Sequence, residues 1–227
     1  MKLKNLAVLS VLLCIFISCT LPAKTYGKNN EIGGPGNTGL EKNEDLFINN
    51  GKNGEYVFDV NDKKYIRDDG YTVWTELYEN DSDIFTSIEC DVNKEYGYTE
   101  AGYGVVFLCG EKNGKKYLMT VLINSCQKYC IGKVENDEFK MIQNWTLTNN
   151  LNEGTGGIIN TIKVEFMTEG VNKSKFRLLL NGIEETYFSD ADNMNPEFKG
   201  TWWGYTAVIS PFDNFDTSRV KIIYKTK

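Results

Sequence analysis

In the stretch IECDVN, Glu89 and Asp91 stand two residues apart. On an extended chain they project to the same face, as an acid–base pair carried by one strand must. On an exposed face the same residues are ordinary solvated carboxylates. Oxygen-rich loops form a second class of candidate: ENDSD (Asn80, Asp81, Asp83), DADNMN (Asp190, Asp192, Asn193, Asn195) and DNFD (Asp213, Asn214, Asp216). Such residues suit a hard cation, and they also make turns; none follows the EF-hand spacing. Asp213 and Asp216 are the candidate ligands of a structural calcium, the one cofactor considered. Aromatic residues form the third class. TWWGY holds Trp202, Trp203 and Tyr205, with Trp74 and Trp145 elsewhere. A flat ring stacks on the apolar face of a pyranose, and adjacent residues on a strand point opposite ways, so Trp202 and Trp203 cannot both be core. Trp202, Trp203, Tyr205 and Trp74 are the candidate ligand-binding residues, with core packing the alternative for each.

The chain has no histidine, which excludes Ser-His-Asp and Cys-His catalysis. An enzyme would have to use carboxylates, lysine, tyrosine or a metal, so the balance leans against catalysis. Four cysteines lie beyond the N-terminal region: Cys90, Cys109, Cys126 and Cys130. In an exported chain they are candidates for disulfides, Cys126 with Cys130 across a turn and Cys90 with Cys109 on consecutive strands; buried thiols are the alternative. Zinc is disfavoured by the absent histidine and the unpaired spacing.

These residues must be positioned by short strands. From about residue 45 the chain alternates in segments such as EYVFDV, YTVWTEL and DIFTSIECDV. YGVVFLCG and KKYLMTVLIN are apolar on both faces, as central strands are. KFRLLL and IEETYFS flank NG, a strong hairpin signal. No segment sustains a helical period. About a dozen short strands at regular spacing predict an all-β sandwich or barrel. Residues 20 to 43, rich in Gly, Asn and Lys, predict a flexible tether; its GPGNTG follows no strand and opens no helix, so it is no dinucleotide loop.

The N-terminus predicts the compartment. MKLK supplies two positive charges, and residues 6–18 are an apolar run too short to span a bilayer. Ser18 precedes Cys19. FISC resembles the lipobox of bacterial lipoproteins, with Phe16 and Ile17 where Leu and a small residue are usual. The resemblance implies a signal peptide over 1–18, lipid on Cys19, a tether over 19–43 and a domain over 44–227, held at the bacterial cell envelope outside the cytoplasm. Removing Lys2 and Lys4 with the leader takes the net charge from −6 to −8. An acidic chain argues against nucleic acid as a partner.

The order of segments AGYGVVFLC, YLMTVLIN, KYCIGKV, FKMIQNWTL, a Gly-rich loop, an Asn before TIKVEF, FRLLLNGIEETYF, WGYTAV and RVKIIY is similar to the concanavalin A-like lectin/glucanase superfamily. This resemblance implies a jelly-roll sandwich of two antiparallel sheets, one of them concave. The glucanases of that group carry E-x-D-x-x-E on one strand. Glu89 and Asp91 match its start, but Lys94 stands where the third carboxylate belongs. The fold does not settle function; with the acid motif incomplete, the expected function is a lipid-anchored, non-catalytic module that binds glycan. A carboxylate-dependent glycoside hydrolase of the same fold, or a surface protein that binds an envelope or host protein, are the alternatives.

Overall fold

The computed structural model of this chain describes residues 40–42, 47–49, 54–60, 71–77, 86–112, 115–135, 138–173, 175–189, 202–210, 212–213 and 220–227. They form strands and connections, with no helix among them. The strands are β1 (Leu40–Lys42), β2 (Phe47–Asn49), β3 (Glu55–Val60), β4 (Tyr71–Leu77), β5 (Ser87–Tyr96), β6 (Tyr103–Lys112) and β7 (Lys115–Ile123), then β8 (Lys128–Glu135), β9 (Glu138–Leu147), β10 (Ile159–Phe166), β11 (Phe176–Leu180), β12 (Ile183–Phe188), β13 (Trp202–Ile209) and β14 (Val220–Thr226). Sheet I has the order β1-β4-β13-β6-β7-β8-β9 and sheet II the order β12-β11-β10-β5-β14-β3-β2. Neighbours are antiparallel except for the parallel pair β1–β4. This is the two-sheet antiparallel sandwich expected of a jelly roll.

The alternation of side chains builds the core. Ile88, Cys90 and Val92 of β5, Ile162 and Val164 of β10, Phe176, Leu178 and Leu180 of β11, and Val220, Ile222 and Tyr224 of β14 point inward from sheet II. They meet Tyr103, Val105 and Phe107 of β6, Met119, Val121 and Ile123 of β7, and Tyr205, Ala207 and Ile209 of β13. Tyr205 stacks on Tyr224 with ring centroids 4.4 Å apart, and Phe176 packs on both Phe107 and Phe188. Each such ring taken from water contributes about 1.5–3 kcal/mol.

The two outer faces differ in chemistry. On sheet II the outward residues of β5, β10, β11 and β12 are charged and interleaved. Lys227 meets Asp91 at 2.8 Å and Glu89 at 3.6 Å; Lys163 bridges Glu89 at 3.3 Å and Glu165 at 2.8 Å; Arg177 joins Glu165 to Glu184. On sheet I the outward residues are mostly apolar, in two clusters, one around Trp74, Val106 and Leu118, the other around Leu122, Cys130 and Val208.

One end of the sandwich is closed by an asparagine network in the β9–β10 crossover. Buried Asn160 accepts from the Asn152 N–H (2.7 Å) and from Asn181 Nδ2 (2.9 Å), and donates to Asn152 O (3.1 Å). Asn181, at φ 51°, and Gly182, at φ 79°, form the predicted NG turn, and Asn181 Oδ1 accepts from the Thr161 N–H. The Asn ahead of TIKVEF and the NG turn are therefore one structural unit.

Three expectations change. The stretch assigned to the tether contains β1, so the boundary placed between 43 and 44 moves back to Leu40. β5 begins at Ser87, later than the alternating run suggested, and continues to Tyr96. The four cysteines form no disulfide. Cys90 lies in the core on sheet II, whereas Cys109 lies in the outer-face cluster of sheet I, so consecutive strands carry them into different layers. Cys130 joins the second outer-face cluster while half-buried Cys126 sits in the preceding turn. Burial pushes the Cys90 and Cys130 thiols well above the usual thiol range, so both are held as the neutral form.

Candidate functional site

The outer face of sheet I is assembled from alternate residues of six strands. β4 contributes Trp74 and Glu76, and β13 contributes Trp202, Gly204, Thr206 and Val208. In register, Glu76 lies beside Gly204, Gly204 beside Val106, Val106 beside Thr120, and Thr120 beside Gly132. This row has a low floor. Thr120 and Thr206 turn their hydroxyls into the sheet, donating to Val105 O and Val73 O at 2.9 Å. At Gly204 a Cβ would stand 1.8 Å from Thr75 O, so only glycine fits. The Phe139 ring of β9 lies over Gly132, where a Cβ would fall 2.5 Å from its Cζ.

The residues of this face differ in exposure. Trp74 is 3% exposed and Val106 1%, whereas Trp202 is 36% exposed. Trp74 Nε1 donates to Glu76 Oε1 at 3.2 Å and so fixes the carboxylate on the flank of the strand. At this end of the face part-exposed Trp202 and half-buried Glu76 flank buried Gly204. A ring that stacks, beside an acceptor that takes hydroxyl hydrogens, is suited to a polyol with one apolar face.

The structure separates the aromatic candidates. Trp202 and Trp74 belong to the outer face of sheet I. Trp203 and Tyr205 do not: both face the core, Tyr205 is fully buried, and the two rings pack edge-on with centroids 6.1 Å apart. They are withdrawn from the surface patch, as the alternation of a strand requires once Trp202 faces out. Trp145 packs on the outer face over Gly102. Glu76 was not singled out in the sequence, although its i, i+2 relation to Trp74 places both on one face.

The acid pair sits elsewhere. Glu89 and Asp91 share a face, as their spacing predicts, but it is the outer face of sheet II, where both are ion-paired to Lys227. Burial acts to raise the Asp91 pKa, but hydrogen bonds from Lys227 and Thr161 outweigh it and hold the carboxyl below its ordinary value. A group held in the ionised form by two donors is poorly placed as a general acid.

Asp213 is buried, and its carboxylate accepts from the Tyr98 N–H at 2.6 Å and the Ser210 N–H at 2.8 Å. Near it lies Lys94, 1% exposed, whose ammonium donates to Tyr98 O at 2.5 Å and Ala101 O at 3.2 Å. Burial pushes the Lys94 pKa down to about 8, against the attraction of Asp213. Asp213 thus ties the β5–β6 and β13–β14 crossovers together. Among the described residues no group of three or more acidic or cysteine side chains is placed to hold a metal ion. Asp216, Cys19, the clusters at 80–83 and 190–195, and Asn214 lie outside the described residues.

No protein-family model matches the chain, and no curated protein is significantly similar to it. Solved structures of similar shape include the carbohydrate-binding module CBM66 from Bacillus subtilis, 13% identical, covering 77% of this chain and 80% of its own, with a TM-score of 0.41. The laminarinase catalytic domain from Thermotoga maritima is 8% identical over 82% of both chains, TM-score 0.46. Sheep galectin-11 is 6% identical over 62% of this chain and 92% of its own, TM-score 0.38. At these values the likeness is one of sandwich shape, and residue roles do not transfer across it.

Proposed function

We propose that this protein is a non-catalytic binding module, displayed on the bacterial cell envelope by lipid on Cys19, that takes a glycan at the Trp202 end of sheet I. The observation that carries the binding reading is the arrangement of exposed Trp202, side-chain-free Gly204 and the Glu76 carboxylate oriented by Trp74. Against catalysis stands the engagement of Glu89 and Asp91 in ion pairs on the opposite outer face. Anchoring is supported by the charged start, the apolar run and the Ser18–Cys19 junction.

A glycan array probed with the whole protein tests the binding reading. Trp202→Ala should weaken the best ligand by more than tenfold, the loss typical of a central aromatic anchor, in a protein that still unfolds cooperatively. Binding that survives Trp202→Ala in full would place the site elsewhere. Hydrolysis of any array ligand that disappears in Glu89→Gln would make the protein a glycoside hydrolase instead.

A further inference from the structure

Resting on the glycan reading for the class of ligand, we infer that the seam between the edges of the two sheets is a second site, where Glu185 takes the ammonium group of an amino sugar. β9 is an edge strand of sheet I and β12 an edge strand of sheet II. On β12, Leu178 pairs with Thr186 and Leu179 with Glu184, so Glu185 is the extra residue of a bulge. A bulge re-aims a side chain, and here the carboxylate reaches the chain that leaves β9. Its Oε2 accepts from Thr148 Oγ1 at 2.8 Å and from Asn150 Nδ2 at 2.7 Å. Gln143 of β9 donates through Nε2 to Tyr129 Oη at 2.6 Å and to Thr146 Oγ1 at 3.3 Å. Burial raises the Tyr129 pKa, the bond from Gln143 opposes the rise and the Glu185 charge adds to it, so these groups form one cluster.

The partners of Glu185 set it apart. Glu89, Asp91, Glu95, Glu135, Glu165 and Glu184 each meet a lysine or an arginine. Half-buried Glu185 is instead met, among the described residues, by a hydroxyl and an amide. A carboxylate partly out of water and held by neutral donors is best completed by a cation. Both bonds fall on Oε2, and an ammonium, with three donors and no acceptor, suits Oε1. Gln143 and Asn150 use their amide nitrogens in the bonds above, which leaves their amide oxygens to hydroxyls of the same ligand. A sugar ring with an amine beside hydroxyls supplies both kinds of donor, whereas a lysine side chain supplies the ammonium alone. Leu147, 66% exposed, and Ile183, 53% exposed, stand at the strand ends that flank the cluster and offer apolar contact to the ring. The net charge of −6 favours approach of a cationic ligand.

The test is calorimetry of the whole protein with chitosan oligosaccharides, with the fully N-acetylated form of the same chains, with β-1,3-glucan oligosaccharides and with a lysine-rich peptide. It is run at mildly acidic pH, where the sugar amines are protonated, at low and at physiological salt. The wild type should bind the free-amine chains at least about tenfold tighter than the acetylated ones, with the gap narrowing as salt screens the charge. Glu185→Gln keeps an oxygen for Thr148 and Asn150 and should abolish the preference for the amine in a protein that still unfolds cooperatively. Should that variant not fold, Gln143→Met keeps the carboxylate, removes the second acceptor and should weaken the free-amine chains several-fold. Trp202→Ala should leave the preference for the amine in place. Equal affinity for the two forms, a preference that survives Glu185→Gln, or binding of the peptide but not of chitosan through Glu185 overturns the seam site; glucan bound and then lost in Trp202→Ala keeps the glycan reading in that case. Failure to bind any of the three sugars overturns both.

Discussion

At the scale of single residues, the two tryptophans of TWWGY face opposite ways, Trp202 outward and Trp203 inward beside Tyr205, and substitution should separate the two faces. Trp202→Ala removes a ring that is 36% exposed and should cost about 1–2 kcal/mol. Tyr205→Ala removes a fully buried ring stacked on Tyr224 and should cost about 3–5 kcal/mol, read from denaturant unfolding. The sequence could show that the pair divides between two faces; it could not show which member faces out, because that depends on the register of β13 against β4 and β6. Lys94 raises a second residue-scale expectation. The folded chain releases its proton near pH 8, the unfolded chain near 10.5. Between those values the unfolded state binds more protons, so this residue makes stability rise with pH. Cys90, Cys130 and Tyr224, all held neutral by burial, act in the opposite sense at alkaline pH. The comparison must therefore be made against Lys94→Met: relative to that variant, the wild type should gain on the order of 2 kcal/mol between pH 7.5 and 10. An identical pH slope in both proteins would show that the lysine is not buried as described.

At the scale of elements, the strands and the crossovers were legible to different degrees. The central strands β6 and β7 were readable because both their faces are apolar, and the β11–β12 hairpin because Asn181-Gly182 demands its turn. The short edge strands β1 and β2 were missed, since three residues carry no period. The layer in which each strand lies was also invisible, and for this reason the sequence left open whether Cys90 and Cys109 pair or are buried thiols. The asparagines of the β9–β10 crossover were noted as pattern only; the structure makes them a cross-link. Asn160→Ala removes one buried amide that makes three hydrogen bonds, and should cost about 2–4 kcal/mol by chemical denaturation. Gly204→Ala should cost at least about 3 kcal/mol, because the atom it meets is a backbone carbonyl that cannot move aside without breaking the β4–β13 ladder. A Gly204→Ala protein of wild-type stability would mean that these strands are spaced more widely than described.

At the scale of the whole molecule, the sandwich presents two unlike outer faces, one compensated and one apolar. The compensated face combines Glu184, Arg177, Glu165, Lys163, Glu89, Lys227 and Asp91 in one alternating series, and leaves little net field to attract a partner. Replacing Cys19 with alanine should abolish fatty-acid labelling and release the protein from membranes; equal label in both proteins would rule out the anchor. A chain truncated to begin at Asp45 loses β1 and should unfold about 1–3 kcal/mol more easily than one beginning at Gly39, as the β1–β4 hydrogen bonds are lost. That short parallel pair also has a mechanical meaning. If the proposed function holds, with lipid on Cys19 and ligand on β4 and β13, tension between the membrane and a ligand pulled by flow would enter the domain at β1. Three residues of pairing yield before the seven-strand sheets behind them, and their release lengthens the leash while the Trp202 site stays whole. On that reading β1 would act as a fuse, giving way under load so that the grip does not.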